Sequence, residues 1–192
     1  MCYDDQARPP YPPSVGGAAA DHGELTLRSE DGTEFAAYFA RASQPTGSGI
    51  VICPDVRGLH HFYKELAQRF AEAGIDAVAF DYFGRTAAGQ PRDEGFEWRE
   101  HIAQARPETV DADVRAAMTH LRSPEGGAVK TVFTVGFCFG GDTSWRQAKN
   151  GSDGSIGFYG QPARLKSAVP DLKLLAAAPL LLLVAGADFA PV

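Results

Sequence analysis

The 192-residue sequence has little of what marks disulfide scaffolds, zinc fingers or nucleic-acid binders. Its three cysteines, Cys2, Cys53 and Cys138, are an odd number at unrelated spacings. This excludes a disulfide framework or a zinc-finger pattern and favours a reducing compartment. The formal net charge is −6 and no basic block is present, so binding to nucleic acid or to an anionic membrane surface is not expected.

Long hydrophobic runs and targeting signals are missing as well. The N-terminal stretch MCYDDQARPPYPP has neither a basic start nor an apolar segment, so it does not form a signal peptide. The most apolar run, residues 174–186, is interrupted by Pro179 and is too short to span a bilayer. We expect a helix end followed by a buried strand in this run, and a cytoplasmic location for the protein.

Apolar residues make up 44% of the sequence, enough for one sizeable core and one domain. Residues 1–20 are rich in proline and glycine and are expected to form an arm, either docked on the domain or disordered. The domain itself is expected to occupy residues 21–192.

The predicted elements alternate as they do in parallel α/β proteins. A hairpin is predicted over residues 24–39 around the Asp31-Gly32 turn. Further strands are predicted at residues 49–53, 75–80, 131–135, 155–159 and 180–185. Helices are predicted at residues 62–73, 98–104 and 109–122, the last with Thr109 as its N-cap. This order implies a mostly parallel sheet wrapped on both faces, with the loops after the strands on one edge, where such proteins build their sites.

The strongest chemical signal is TVFTVGFCFGG, residues 131–141. A β-branched and aromatic strand leads into Gly136-Phe137-Cys138-Phe139-Gly140, the G-x-nucleophile-x-G pattern of a nucleophile elbow. A nucleophile at such a turn has a strained backbone, and glycines two residues away on either side prevent collisions. Cys138 is therefore the predicted nucleophile, at a helix N-terminus that favours thiolate. The alternative is a buried cysteine before an ordinary glycine turn.

The ending LLLLVAGADFAPV places Asp188 just past a predicted strand. In an α/β-hydrolase the nucleophile comes first in the chain, the acid second and the histidine last, so Asp188 is the candidate acid. A turn aspartate is the alternative. Residues 24–192 resemble the dienelactone hydrolase family of α/β-hydrolases. The resemblance rests on three segments: GFCFGG, ICPDVRGLHHFYKELAQRFAEAGIDAVAFDYFGR and VAGADFAP. The resemblance implies that fold, hydrolysis of a small ester or lactone by a Cys-His-Asp triad, and no metal or organic cofactor.

The resemblance also implies roles for residues outside the triad. The backbone N–H groups of Val56 and Phe139 would form the oxyanion hole. Asp55 stands where the family has an acidic residue, typically glutamate, that interacts with the thiol; its alternative role is to cap the helix that begins near His61. Arg99 is chosen over Arg92 as the arginine that binds a substrate carboxylate, and the alternative is an ordinary surface arginine.

No histidine follows the candidate acid. The family order places the triad histidine roughly thirty residues after it, whereas all five histidines precede Cys138: His22, His60, His61, His101 and His120. His60 and His61 lie in the loop with Val56 and could approach the thiol, although a capping or solvent-facing role is the default. We therefore expect the catalytic histidine, a last strand and a last helix to lie beyond residue 192, and the chain alone to be nearly inactive.

Two other functions stay open at this stage. One is a broad carboxylesterase with the same catalytic residues, and the other is a binding protein that uses the hydrolase pocket without its base.

Asp142, just after the elbow, suits a helix N-terminus electrostatically but would oppose formation of the Cys138 thiolate if the two lie close together.

Overall fold

The computed structural model describes residues 4–12 and 17–185. Seven strands form one sheet in the order β1-β2-β4-β3-β5-β6-β7. The strands are β1 (Ala19–Arg28), β2 (Glu34–Ala42), β3 (Ser48–Cys53), β4 (Asp76–Phe80), β5 (Thr131–Phe137), β6 (Gly154–Phe158) and β7 (Leu180–Leu183). The α-helices are α1 (His61–Glu72), α2 (Trp98–Ile102), α3 (Pro107–Arg122), α4 (Phe139–Arg146) and α5 (Pro162–Ala168), with 3-10 segments at Gln147–Asn150 and Leu172–Ala177.

The sheet combines an antiparallel hairpin with a parallel body, as the sequence predicts. β1 and β2 pair across the Asp31-Gly32 turn, where Gly32 has a φ of 86° that glycine adopts without strain. β2 pairs antiparallel with β4, whereas β3 to β7 pair in parallel. The carboxyl ends of these parallel strands therefore lie on one edge of the sheet.

Helices cover both faces of the sheet. The stripe of α1 buries Tyr63, Ala67 and Ala71 against one face, and α3 buries Val114, Ala117 and Leu121 against the other. The prediction that Thr109 caps α3 is wrong. The helix begins at Pro107 with Arg106 as its N-cap, because proline presets the backbone angle of a first helical residue and has no N–H to satisfy.

The last strand is also more exposed than predicted. Leu181, Leu182 and Leu183 are 50%, 41% and 39% exposed, so the expectation of a buried strand is wrong within the described part of the chain. The physical reason is the position of β7 at the edge of the described sheet, where it pairs with β6 on one side. No helix within residues 4–12 and 17–185 is long and apolar enough to cross a membrane.

The described part of the N-terminal segment, residues 4–12, lies along α1. Its contacts recur about once per helical turn, so they follow one face of the helix. They join Asp5 to His60, Arg8 to Glu65, and the ring of Tyr11 to the guanidinium of Arg69. β1 begins at Ala19, slightly before the start of the domain expected from the sequence.

Candidate active site

Cys138 occupies the tight turn between β5 and α4. Its φ of 53° and ψ of −115° lie outside the regions that a non-glycine residue adopts without strain. Two backbone hydrogen bonds hold the turn: the Cys138 N–H donates to the Phe158 carbonyl at 3.0 Å, and the Gly141 N–H donates to the Cys138 carbonyl at 2.9 Å. The predicted strained conformation between a strand end and a helix start is confirmed.

The two glycines around Cys138 are required by close backbone contacts. A Cβ atom on Gly136 would lie 1.7 Å from the Gly140 carbonyl oxygen, and one on Gly140 would lie 2.0 Å from the Cys53 carbonyl oxygen. Real Cβ atoms do not approach backbone this closely. The first turn of α4 therefore rests directly on the carboxyl ends of β3 and β5, and no other residue type allows this.

Two buried tyrosines hold the loop that follows β3. The Asp55 N–H donates to the Tyr63 hydroxyl oxygen at 2.9 Å, and the Tyr82 hydroxyl donates to the Pro54 carbonyl at 2.7 Å. Val56, the predicted oxyanion residue of this loop, is half-buried and packs against the core on the α3 side of the sheet. The sequence analysis identified neither tyrosine. A signal was available, because each tyrosine lies in or next to a predicted element that flanks the loop and combines an apolar ring with a hydroxyl group that needs a partner when buried.

Asp55 forms a buried ion pair with Arg57. The Arg57 Nη2 lies 3.1 Å from Asp55 Oδ2, and the Arg57 N–H donates to Asp55 Oδ1 at 2.9 Å. Capping of α1 by Asp55 is wrong, because the N-cap is His60, whose Nδ1 accepts the Phe62 N–H at 3.3 Å. The interaction of Asp55 with the thiol stays a prediction. In that interaction the Asp55 carboxylate would contact the thiol and Arg57 at the same time.

Phe139 begins α4, at a position where the backbone N–H has no acceptor inside the helix. Its ring is buried and meets the ring of Tyr82 edge-on at a centroid distance of 5.0 Å. The guanidinium of Arg164, from α5, lies over the same ring at 4.5 Å. The helix start thus presents an available N–H next to a cation that the sequence analysis did not single out.

Asp142 lies one helical turn after Cys138 and is 1% exposed. Burial raises the pKa of its carboxyl to about 6, while the guanidinium groups of Arg164 and Arg146 act in the opposite direction. The acid next to the elbow is therefore a buried, partly compensated charge rather than a solvated one.

A family comparison settles the relationship of this chain to known proteins. The model of the dienelactone hydrolase family matches residues 35–191, most of the chain and the whole of the elbow and its flanking strands. The chain belongs to the dienelactone hydrolase family. This confirms the resemblance inferred from GFCFGG and its neighbouring segments.

Curated relatives are similar over about three quarters of the chain. A carboxymethylenebutenolidase from Rhodococcus opacus is 31% identical over 148 residues, covering 73% of this chain and 51% of that protein. A carboxymethylenebutenolidase from Pseudomonas putida is 28% identical over 142 residues, covering 71% and 60%. Protein usf of Aquifex pyrophilus is 28% identical over 158 residues, covering 79% and 68%. The chain thus spans about half to two thirds of the length of these relatives.

Solved structures share the fold at lower identity. A dienelactone hydrolase-like promiscuous phosphotriesterase from metagenomic libraries has a TM-score of 0.63 at 20% identity, covering 88% of this chain and 82% of that one. An esterase from Pyrococcus furiosus has a TM-score of 0.56 at 14% identity, covering 90% and 75%. The α/β-hydrolase fold expected from the sequence is confirmed.

The structure does not test the roles that the resemblance implies for an acid and for a carboxylate-binding arginine. Asp188 lies outside the described residues, so its role in a triad stays a prediction. Arg99 is exposed on α2 with its guanidinium 4.7 Å from the Trp98 ring centroid, and its role as substrate ligand also stays a prediction. Arg92 is engaged elsewhere, because it forms a bidentate pair with the buried carboxylate of Asp81 at 2.7 and 3.1 Å.

His60, the first of the two adjacent histidines that follow Val56, has a structural role. Because His60 Nδ1 accepts a hydrogen bond, the network assigns the ring proton to Nε2, which donates to Asp5 Oδ1 at 2.5 Å. Burial, then electrostatic interactions with the His60 ring and the Arg8 guanidinium, lower the pKa of His61. Asp5, His60 and His61 have possible metal-ligand atoms within 4.8 Å of one another. The contacts that the structure shows for this group, the His60 cap of α1 and the His60–Asp5 hydrogen bond, dock the N-terminal segment on the helix.

The other three histidines also have identifiable surroundings. His22 Nδ1 lies 2.7 Å from the Tyr38 hydroxyl, His101 stacks on Phe96 at a centroid distance of 5.2 Å, and burial lowers the pKa of His120. A cavity of about 460 Å³ opens beside the β1-β2 hairpin, where Lys64 and Arg92 contribute to its lining. Of the described candidate residues, none of Asp55, Val56, Arg99, Cys138 and Phe139 lines this cavity.

Proposed function

We propose that this protein hydrolyses a small carboxylic ester or lactone, with Cys138 as the nucleophile. One observation carries the proposal: Cys138 has φ 53° and ψ −115° at a strand-to-helix turn that tolerates only glycine two residues before it and two residues after it. Strain of this kind persists where the surrounding structure imposes it, and it is concentrated at functional sites. Family membership and the names of the curated relatives support the same chemistry.

In the proposed first step, the Cys138 thiolate attacks the carbonyl carbon. A C–S bond forms, the carbonyl π electrons move to oxygen, and the N–H groups of Val56 and Phe139 stabilise the oxyanion. Collapse of this intermediate breaks the C–O bond of the ester and releases an alkoxide, which takes up a proton. The product of this half-reaction is an acyl-thioester on Cys138.

In the proposed second step, a water molecule attacks the thioester, and release of the carboxylic acid restores the thiol. This step needs a base to take the proton of the water. Asp188 would orient a histidine for that purpose in the order nucleophile, acid, histidine. No histidine follows Cys138 in the 192 residues, so we propose that the first step outpaces the second in this chain.

The test is a time course with p-nitrophenyl acetate. We expect release of at most one equivalent of p-nitrophenol per chain, with an acetyl group on the Cys138 peptide by mass spectrometry, followed by slow turnover. Cys138→Ala should abolish both. The matched control is Cys53→Ala, because Cys53 is fully buried at the end of β3 and should leave the burst intact.

Other results would redirect the assignment. A Cys138→Ala variant that still gives the burst would exclude Cys138 as nucleophile. Fast turnover by the 192-residue chain, as fast as that of any longer product of the same reading frame, would place the base upstream, with His61 the first residue to replace. If the protein binds an ester but never acylates, and Cys138→Ala binds it equally well, the non-catalytic alternative is correct.

Arg99 belongs to a finer proposal about the substrate. If its guanidinium binds a carboxylate, Arg99→Ala should slow acylation by an ester that carries a second, free carboxylate and leave p-nitrophenyl acetate unaffected. Equal rates with both esters would remove Arg99 from the site.

A further inference from the structure

Four charged side chains lie behind the elbow, where α4 meets α3 and α5. They are the carboxylates Asp111 and Asp142 and the guanidinium groups Arg146 and Arg164. The first three are buried, whereas the side chain of Arg164 is 42% exposed. A buried carboxylate is tolerated only when nearby charges or hydrogen bonds compensate it, so the pairing within this group decides how much charge reaches the elbow.

Arg146 pairs more closely with Asp111 than with Asp142. Its Nη2 and Nε lie 2.9 and 3.0 Å from Asp111 Oδ1, whereas its Nη1 lies 3.5 Å from Asp142 Oδ2. Gln147 donates to the same Asp111 oxygen, and Lys149 lies 3.5 Å from the other. Asp111 is therefore well compensated by its own neighbours.

Arg164 is the second cation beside Asp142. Its Nε lies 3.8 Å from Asp142 Oδ2, and its guanidinium rests on the ring of Phe139, the residue after Cys138. Stacking on an aromatic ring holds the guanidinium in place without a second carboxylate. Among the described residues, this is the ion pair that the structure gives to Arg164.

The charge of Asp142 is felt by groups around the elbow. Burial is the main reason why the pKa of Cys53 is raised; Arg146 lowers it, and the carboxylates of Asp111 and Asp142 raise it further. The pKa of Tyr82 is raised by burial, with Cys53, Asp142 and Asp55 acting in the same direction. Cys53 pairs in register with Gly136, two residues before Cys138, so these groups lie close to the turn that carries Cys138.

We propose that Arg164 is a positioning residue for the reactive thiol: by offsetting the charge of Asp142, it increases the fraction of Cys138 that is in the thiolate form. This inference rests on the proposed role of Cys138 as nucleophile. It also explains how the elbow accommodates an acid one turn after the nucleophile, which from sequence alone opposes thiolate formation. Arg164 acts through Asp142 and not by contact with the substrate.

The test measures thiolate directly and needs neither substrate nor deacylation. The rate of Cys138 alkylation by iodoacetamide is followed from pH 5 to 10, with labelling quantified on the Cys138 peptide. Arg164→Ala should move the profile to higher pH and lower the rate at pH 7 by about three- to tenfold. Arg164→Lys should restore most of it, because a lysine keeps the charge. Ester hydrolysis can fail while this profile still shifts, so the two proposals fail separately.

A double-variant cycle tests the route through Asp142. In an Asp142→Asn background there is no carboxylate to offset, so adding Arg164→Ala should change the profile less than about 1.5-fold. The matched control is Arg122→Ala, which removes an arginine that is 41% exposed and paired with Asp153 at 3.4 Å, near the opposite edge of the sheet. Its profile should match that of the unmodified chain.

Two results would overturn the proposal. The first is an Arg164→Ala profile identical to that of the unmodified chain, with the far-ultraviolet spectrum and melting temperature showing that the variant is folded. The second is an equally large shift in the Asp142→Asn background, which would mean that Arg164 acts on the sulfur without Asp142. If Arg164→Ala does not fold, Arg164→Gln serves in its place, since it keeps a polar side chain over Phe139 while removing the charge.

Discussion

At the scale of single residues, the elbow depends on the absence of a side chain at two glycines as well as on Cys138 itself. Gly136 and Gly140 provide no Cβ where the chain segments of β3, β5 and α4 come closest. The strained backbone conformation of Cys138 is therefore imposed by the close packing of these three segments, and this conformation sets the position of the sulfur.

Gly136→Ala tests this packing. The added methyl group would meet the Gly140 carbonyl at 1.7 Å, and because backbone cannot move aside cheaply, we expect the free energy of unfolding to fall by about 3 kcal/mol or more. Urea denaturation measures it. The control is Gly23→Ala in β1, where the new Cβ would meet the Phe39 ring at an ordinary 3.5 Å and should cost little. Equal stability of the two variants would contradict the packing argument.

Asp142 makes stability depend on pH in an unusual direction for an aspartate. Its folded pKa of about 6 lies above the ordinary value of 3.8, so the folded chain binds the proton more tightly than the unfolded chain. The stabilisation from this proton is fully present below about pH 4 and is lost as pH rises through about 6.

Asp142→Asn should remove that dependence. Relative to this variant, the unmodified chain should lose roughly 2 kcal/mol of unfolding free energy between pH 4 and pH 7, since one pKa unit corresponds to about 1.4 kcal/mol and most of the shift from 3.8 to about 6 falls in this window. Chemical denaturation at several pH values in this window gives the comparison. Parallel curves for the two proteins would show that Asp142 ionises normally.

At the scale of elements, a buried ion pair joins the loops on the carboxyl edge of the sheet. Asp81 follows β4, and its Oδ1 lies 3.4 Å from the Leu59 N–H in the loop after β3. Arg92 binds both oxygens of this carboxylate and stacks on the ring of Phe96 at 4.3 Å. The irregular segment between β4 and α2 is thus tied to the loop that carries Val56.

Arg92→Ala should therefore be costly. It leaves the Asp81 carboxylate buried and uncompensated, for which a loss of about 3–5 kcal/mol in unfolding free energy is expected. Thermal and urea denaturation measure the loss. Arg115→Ala is the comparison, because its partner Glu30 is exposed and such surface pairs contribute about 1 kcal/mol or less. Similar losses in both variants would mean that the Asp81 pair is not a structural tie.

At the scale of the whole molecule, the described sheet is well covered at its centre and apolar at one edge. Within residues 4–12 and 17–185, the exposed leucines of β7 lie on the edge strand of the sheet, which pairs there with β6 alone; an apolar edge strand is the kind of surface that associates with other chains. A cytoplasmic location stays a prediction.

We expect the 192-residue chain to self-associate through this edge. Replacing Leu181 and Leu183 by lysine should reduce the sedimentation coefficient at high concentration towards that of a monomer, because charged side chains on an edge strand oppose pairing. Leu172→Lys is the control, since Leu172 is 47% exposed but lies outside the strand. A monomeric unmodified chain at all concentrations would contradict the expectation.

Much of the fold follows from local patterns in the sequence. The β1-β2 hairpin, the buried face of α1 and the strand before Cys138 were predicted, because turn glycines and apolar periodicity act within a few residues of each other. The elbow pattern belongs to the same class, since its glycines, its cysteine and its strand lie within eleven consecutive residues, although the contacts of Gly140 with the end of β3 form only in the folded chain. Thr109 failed as an N-cap because Pro107, two residues earlier, sets the start of α3 more strongly.

Which charges and surfaces meet was decided only by the tertiary structure. The sequence predicts Asp55 as a thiol partner or a helix cap. The fold gives the cap to His60 and adds an ion pair with Arg57 that the sequence does not indicate, and the interaction with the thiol stays a prediction. Arg164 carried no signal at all, because its significance depends on α5 packing beside the first turn of α4. Glycines and apolar spacing specify a local backbone path, but an ion pair depends on the distance between side chains far apart in sequence, and only the packed chain sets that distance.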